Sequence, residues 1–229
     1  MKEGPDISHV ASLIGEPARA QMLLALMDRR ALTATELATE AGVTKQTASG
    51  HLAKLQEGGM VSASKQGRHR YYRLDDDDVA RALEALMGVA ERKSGRRVRP
   101  GPKDPAMRKA RVCYDHLAGE TGVLALDQML ENGWIARRQD DLDLTAAGRE
   151  AFNATGISLD RPASSRRPEC RACLDWSVRR YHLGGHAGKV LLDWLLAERM
   201  VSRDPQSRVL RFSKDGEKAF NLWLAAPTQ

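Results

Sequence analysis

The stretch Gly42-Val-Thr-Lys-Gln-Thr-Ala-Ser-Gly-His-Leu-Ala-Lys-Leu-Gln-Glu-Gly58 constrains this chain more than any other. Ala48, Leu52 and Leu55 recur at i, i+4 and i+7, the spacing of one apolar stripe on a helix. Gly42 supplies a tight turn, and Thr44 is the expected N-cap because its hydroxyl accepts an orphan backbone N–H. The other face carries Lys45, Gln46, Thr47, Ser49, Gly50 and Lys54, short or flexible polar residues without a carboxylate. That set suits a major groove, where Gln and Lys read base edges and Ser or Thr hold phosphates. An ordinary amphipathic surface helix has the same stripe, so the segment alone leaves both readings open.

Its neighbours favour the groove. Upstream, Thr33-Ala-Thr-Glu36 is a capping box that starts a short helix with Leu37, Ala38 and Ala41 on its core face. A short helix, a Gly-containing turn and a polar-faced second helix make a helix-turn-helix. Downstream, Met60 to Leu74 contains two extended runs around Lys65-Gln-Gly-Arg68, which predicts a β-hairpin. Its tip and return strand hold Lys65, Arg68, His69, Arg70 and Arg73, a basic wing suited to phosphates or a minor groove.

These residues carry a family resemblance. Gly15-Glu-Pro17-Ala-Arg-Ala-Gln-Met-Leu-Leu, Glu36-Leu-Ala, Thr47-Ala-Ser-Gly-His-Leu-Ala-Lys-Leu and Gly67-Arg-His-Arg-Tyr-Tyr-Arg-Leu together resemble the ArsR family of winged-helix transcriptional repressors, over about residues 7–92. The resemblance implies a homodimer on a palindromic double-stranded operator, released or reshaped by an effector. Metal-sensing members of the family place cysteines in the helix corresponding to 34–42, or His and acidic ligands in the helix after the wing. This chain has no Cys in 34–42 and no His in 76–92, so neither site carries over.

At 229 residues the chain can bury a sizeable core in one or two domains. Its net charge of +6 fits a polyanionic partner, though a merely soluble basic protein would share it. No apolar run approaches membrane-helix length, the N-terminus lacks a secretion-type apolar region, and three cysteines make a poor disulfide framework. A cytoplasmic protein without membrane contact is expected. A first helix over about 7–14 capped by Asp6 is expected, then a second with Pro17 in its first turn and Met22, Leu23, Leu26 and Met27 buried. After Asp75–Asp78, the stripe Val79, Leu83, Leu86, Met87 and Ala90 either packs on its own domain or pairs with a second subunit. Residues 93–105 are Pro/Gly-rich and basic, as in a linker.

Beyond the linker lies an internal repeat. His116-Leu-Ala-Gly119 through Leu130 matches His182-Leu-Gly-Gly185 through Leu196 without a gap, and Leu144 to Phe152 then matches Phe212 to Phe220. Each unit is expected to be helix, hairpin and helix, with hairpins at about 134–144 and 200–212. All four Trp and all three Phe lie in this half, which predicts two pseudo-symmetric units sharing an aromatic core.

The repeat extends upstream into possible chemistry, since Cys113-Tyr-Asp115 precedes the first unit and Cys173-Leu-Asp175 the second. Thiolate and imidazole are ligands of Zn²⁺, Cu⁺ and thiophilic metalloids, which makes Cys113, His116, Cys173 and His182 a candidate metal set. Asp115 and Asp175 would orient the imidazoles, and Cys170 would be a spare ligand or resolving thiol. Buried thiols that only pack, a redox sensor, a small-molecule pocket in the aromatic core and a Cys–His enzyme all remain open.

The expected fold is therefore mainly α with small β-hairpins. A winged helix-turn-helix occupies 1–92, a basic linker 93–105, and a duplicated sensing or dimerisation domain 106–229. The expected function is sequence-specific regulation of transcription, as a repressor under an effector or a thiol or metal signal. The rival is a thiol-dependent enzyme fused to a DNA-binding module.

Overall fold

The computed structural model describes residues 4–27, 30–93, 102–138, 141–161, 165 and 167–226. Most of the expected linker, 94–101, lies outside them, as do Gln139 and Asp140 in one expected hairpin turn. The chain divides into two compact units, Met1–Glu84 and Ala85–Gln229. Among the described residues no helix is long and apolar enough to cross a membrane.

The N-terminal unit runs α1 (Ile7–Ile14), α2 (Pro17–Ala25), β1 (Leu32–Thr33), α3 (Ala34–Ala41), α4 (Lys45–Glu57), β2 (Val61–Gln66) and β3 (His69–Leu74). Short polar side chains start the helices by accepting orphan N–H groups: Asp6 from His9, Glu16 from Ala18 and Arg19, Thr33 from Glu36 in a full capping box, and Thr44 from Thr47. Met22, Leu23, Leu26, Met27, Leu37, Ala48, Leu52 and Leu55 have no exposed surface and form the core. β2 and β3 pair from Val61↔Leu74 to Gln66↔His69, giving the wing. β1, which is two residues long and shows no alternation to read, adds a third strand through Leu32↔Tyr72 and Thr33↔Tyr71. Arg19 is also unanticipated: nearly buried, it donates to the carbonyls of Leu13 (2.7 Å) and Ser12 (2.6 Å), closing the C-terminal end of α1.

Helix α5 (Asp77–Lys93) starts in this unit and runs past its boundary at Glu84. Its expected single stripe is divided. Leu83 is buried within the chain, whereas Leu86 stays 45% exposed, and Val89, outside the expected stripe, is 44% exposed.

In the C-terminal unit α6 (Pro105–Lys109) precedes two segments with the same element order. The first is β4 (Arg111–Cys113), β5 (His116–Ala118), α7 (Glu120–Glu131), β6 (Ile135–Arg138), β7 (Asp141–Leu144) and α8 (Ala146–Ala154). The second is β8 (Arg171–Leu174), β9 (Tyr181–Gly184), α9 (Gly185–Ala197), β10 (Val201–Arg203), β11 (Leu210–Phe212) and α10 (Lys214–Leu224). The expected three-element unit is thus corrected to hairpin, helix, hairpin, helix. His116-Leu-Ala lies in a strand that leads into its helix, not in the helix itself. The opening hairpins were hidden because β4 and β5 have three residues each, and Tyr114, not a glycine, takes the left-handed conformation (φ 58°) at their turn.

The two repeats are interlocked. α7 packs on β9 and α9 on β5, while β5 lies against β9. The opening hairpin of the first repeat bonds to the closing hairpin of the second, Val112 N–H to the Arg208 carbonyl (2.8 Å) and Leu210 N–H to the Ala110 carbonyl (3.0 Å). On the other side, Ala172 N–H donates to the Asp141 carboxylate (3.1 Å). Ion pairs Lys109–Glu217 (2.8 Å) and Arg149–Glu169 (2.5 Å) repeat the exchange. Trp223 of the second repeat meets Trp134 and Phe152 of the first at 5.1 and 5.6 Å between ring centroids. A single core results, to which neither repeat could supply both halves.

Candidate functional site

In the N-terminal unit the whole expected reading face is exposed: Thr44, Lys45, Gln46, Thr47, Ser49, Gly50 and Lys54. Local bonds hold the small members, Thr44 Oγ1 lying 2.9 Å from Thr47 Oγ1 and Ser49 Oγ donating to the Lys45 carbonyl (2.9 Å). At Gly50 the helix surface meets open space, with nothing within 4 Å of where a Cβ would lie. On the wing Lys65, Arg68, His69 and Arg70 are exposed as well. Arg70 is braced: it donates to Gln56 Oε1 on α4 (2.8 Å) and lies over the Tyr72 ring at 5.5 Å. Arg68 Nε approaches His69 Nε2 at 3.2 Å, and Arg73 reaches Ser62 on the neighbouring strand. His51 sits 3.5 Å from the Glu16 carboxylate and takes no part in the face.

In the C-terminal unit the opening hairpins bring the thiols and imidazoles together. Cys113 stands directly opposite His116 in the β4–β5 register, and Cys173 directly opposite His182 in the β8–β9 register. Opposed residues on antiparallel strands face the same side at roughly 4.5–5.5 Å between Cβ atoms, so each hairpin presents one thiol beside one imidazole. Contact of β5 with β9 then joins the pairs, and the His116 and His182 rings stack 5.0 Å apart at 27°. One ligand atom from each of the four lies within 4.8 Å of the other three, and all four residues are buried. Cys113 and Cys173 pack with Ala118 in a small cluster.

Around these atoms is a shell of buried ion pairs. Asp115 accepts two bonds from Arg167 (2.5 and 2.7 Å) and lies 3.3 Å from His116 Nδ1. Burial works to raise its carboxyl, but the bonds to His116 and Arg167 outweigh it and hold the group well below the usual carboxylate range. Asp175 is fully buried and accepts from Arg111 (2.7 Å), Gly119 N–H, Ser177 and Val178 N–H. Burial again opposes ionisation, and the Arg111 charge beside it wins, holding this carboxyl low too. Each aspartate thereby ties its hairpin to a residue preceding or opening the other one. Arg111 also stacks on Trp176, 4.8 Å from the ring.

His182 differs from the rest. Neither of its ring nitrogens has a hydrogen-bond partner among the described residues, and Nδ1 is 3.8 Å from Asp175. Burial first, then the neighbouring His116, pushes its basicity well below normal, so the ring is neutral. Cys170 does not join the group. It lies in the large apolar core, where burial pushes its thiol up to about 12, far from the thiolate that a spare ligand or resolving residue needs. Sequence patterns gave little sign of Arg111, Arg167, Trp176 and Ser177.

Residues 14–62 match the helix-turn-helix domain family. The HTH-type transcriptional regulator YdfF of Bacillus subtilis (strain 168) is 38% identical over 220 residues, spanning 96% of this chain and 97% of that protein. This chain belongs to the HTH-type transcriptional regulators. The HTH-type regulator CmtR of Mycobacterium bovis is 34% identical over 83 residues, 36% of this chain and 70% of that protein. The homodimeric winged helix-turn-helix domain of Mb0332 from the same species, described as a possible ArsR-family regulator, aligns at 27% identity over 43% of this chain and 97% of that one, with a TM-score of 0.37. The match to YdfF also spans the duplicated unit, since it covers almost the whole chain.

Proposed function

We propose that this regulator is a repressor that binds a double-stranded operator as a homodimer, and that its signal enters through the C-terminal unit. One observation carries the DNA reading: the exposed, acid-free face of α4 beside a wing bearing Lys65, Arg68, His69 and Arg70. Thr44, Lys45, Gln46, Thr47, Ser49, Gly50 and Lys54 are then the groove residues, the first-turn Lys45 and Gln46 reading bases. The wing holds phosphates. The apolar side chains left exposed, Ile7 and Val10 on α1 and Leu86 and Val89 on α5, support a subunit interface on those helices.

A DNA-binding domain over residues 1–92, a linker over 93–105 and an input domain over 106–229 accord with this scheme. The input is the buried group Cys113, His116, Cys173 and His182, responding to a metal or thiol signal in a reducing cytoplasm. Binding isotherms on operator and scrambled duplexes at several salt concentrations test the DNA half. Gln46→Ala should cost about 1–3 kcal/mol at one base pair and relax preference. Arg68→Ala should weaken all duplexes and reduce the salt slope by about one. A Gln46→Ala protein with unchanged preference would refute the assignment of α4.

A further inference from the structure

We propose that Cys113, His116, Cys173 and His182 form a closed tetrahedral centre for a zinc-class divalent cation, with one Cys–His pair from each repeat. This deepens the reading of the cluster as the regulator's input, but the binding itself does not depend on that reading.

Distance is the first argument. Zinc bonds of ~2.3 Å to sulfur and ~2.0–2.1 Å to nitrogen imply ligand–ligand edges of roughly 3.3–3.8 Å in a tetrahedron. The four atoms already lie within 4.8 Å of one another, so closing the shell needs an adjustment of about 1 Å. They are held at that spacing by backbone pairing in two hairpins, not by flexible loops.

Charge is the second. Two thiolates carry two negative charges, and the nearby Asp115–Arg167 and Asp175–Arg111 pairs each sum to zero. A dication with two neutral imidazoles makes the buried site neutral, while a monovalent ion such as Cu⁺ would leave one uncompensated negative charge where exposure is 1–6%.

Orientation is the third. Asp115 stands 3.3 Å from Nδ1 of His116, which leaves that ring's Nε2 for the ion in the carboxylate–histidine–metal arrangement, while Asp175 lies 3.8 Å from Nδ1 of His182, outside hydrogen-bond distance. The unpartnered, fully buried His182 ring gains a partner in the same step. Four protein donors leave no position for a reacting water, which separates this centre from a hydrolytic zinc site. Binding releases a proton from each thiol and bridges β5 to β9, clamping the two repeats.

The test uses the full-length protein, reduced and then desalted. Elemental analysis should find one zinc per chain. Titration with Co²⁺ should give near-ultraviolet thiolate-to-cobalt charge transfer and the intense visible bands of tetrahedral cobalt. Cys113→Ser and Cys173→Ser should each abolish that spectrum, Cys170→Ala should keep it, and Asp115→Asn should weaken zinc binding by about 10–100-fold. Absence of metal, weak octahedral cobalt bands, or loss of the spectrum in Cys170→Ala with retention in Cys113→Ser would overturn the proposal. Should the serine variants fail to fold, the cobalt spectrum of the unsubstituted protein decides alone. Operator affinity separates the two readings. Stoichiometric zinc with no effect on DNA binding supports the centre and sinks the input role. An apo protein whose DNA binding follows thiol oxidation overturns the centre and leaves the input role standing.

Discussion

Replacing Gly188 by alanine tests whether the interlock of the repeats is as tight as its geometry. Gly188 lies inside α9, where helix propensity alone would favour alanine by about 1 kcal/mol. A Cβ there would sit 2.2 Å from the Leu183 carbonyl oxygen and 3.2 Å from the Cβ of His116 in the other repeat. Carbon–oxygen contacts settle near ~3.3–3.6 Å, so α9 must withdraw by about 1 Å. The helix carries Leu191, Leu192 and Leu195 into the core at 2%, 0% and 0% exposure, and a gap of ~0.5–1 Å forfeits a quarter to a half of each contact's dispersion energy. Overpacking costs about 1–3 kcal/mol, and a clash against backbone rather than a flexible side chain puts this site in the upper part, ~2–3 kcal/mol, above the propensity gain. The expected net loss is ~1–2 kcal/mol, or roughly 2–8 °C in a unit of this size. Tryptophan fluorescence during thermal unfolding measures it cleanly, because every tryptophan lies in the C-terminal unit. Gly50→Ala is the counterpart: it sits in α4 with open space around it, so the same change should stabilise the N-terminal unit by ~0.5–1 kcal/mol, followed by circular dichroism. A Gly188→Ala protein that melts at or above the parent temperature would refute the reasoning.

Three further outcomes are expected. Arg111→Met should destabilise by about 3–5 kcal/mol in urea titration because Asp175 is left buried without its counter-charge, and adding Asp175→Asn should recover part of the loss. Burial raises the Cys170 thiol from 9.0 to about 12, so the unfolded chain releases that proton first. Stability should therefore fall as pH rises above about 9, by ~1.4 kcal/mol per unit until the folded thiol also titrates, and Cys170→Ala should flatten that part of the profile. Leu86→Lys should give a folded monomer in light scattering, whereas Leu83→Lys should unfold the helix's own packing, since Leu83 is 3% and Leu86 45% exposed. A dimer that survives Leu86→Lys would move the interface elsewhere.

The N-terminal unit was largely legible because its signals are local. The caps at Asp6, Thr33 and Thr44 act over three residues, and the stripe of Ala48, Leu52 and Leu55 is one helix's own periodicity. β1 and the Arg19 cap escaped because each depends on a partner elsewhere in the fold. The division of the α5 stripe also escaped: Leu83 and Leu86 are equally apolar, and only packing decides which one is covered.

In the C-terminal unit the repeat and the pairing of its cysteines and histidines could be read from residue identity. The opening hairpins could not, since strands of three and four residues around a left-handed Tyr114 or a longer loop carry little periodicity. Their register sets Cys113 against His116 and Cys173 against His182, and the contact of β5 with β9 makes one cluster of two pairs. Residue order was enough to say which chemical groups each repeat carries and which helix faces outward without acid. It took the packing of distant segments to make four donors from positions 113 to 182 meet, to withdraw Cys170 into apolar core, and to set Arg111 and Arg167 against the aspartates behind them. The reason is physical: periodicity and capping act within a few residues, whereas convergence depends on how one repeat's surface is buried by the other.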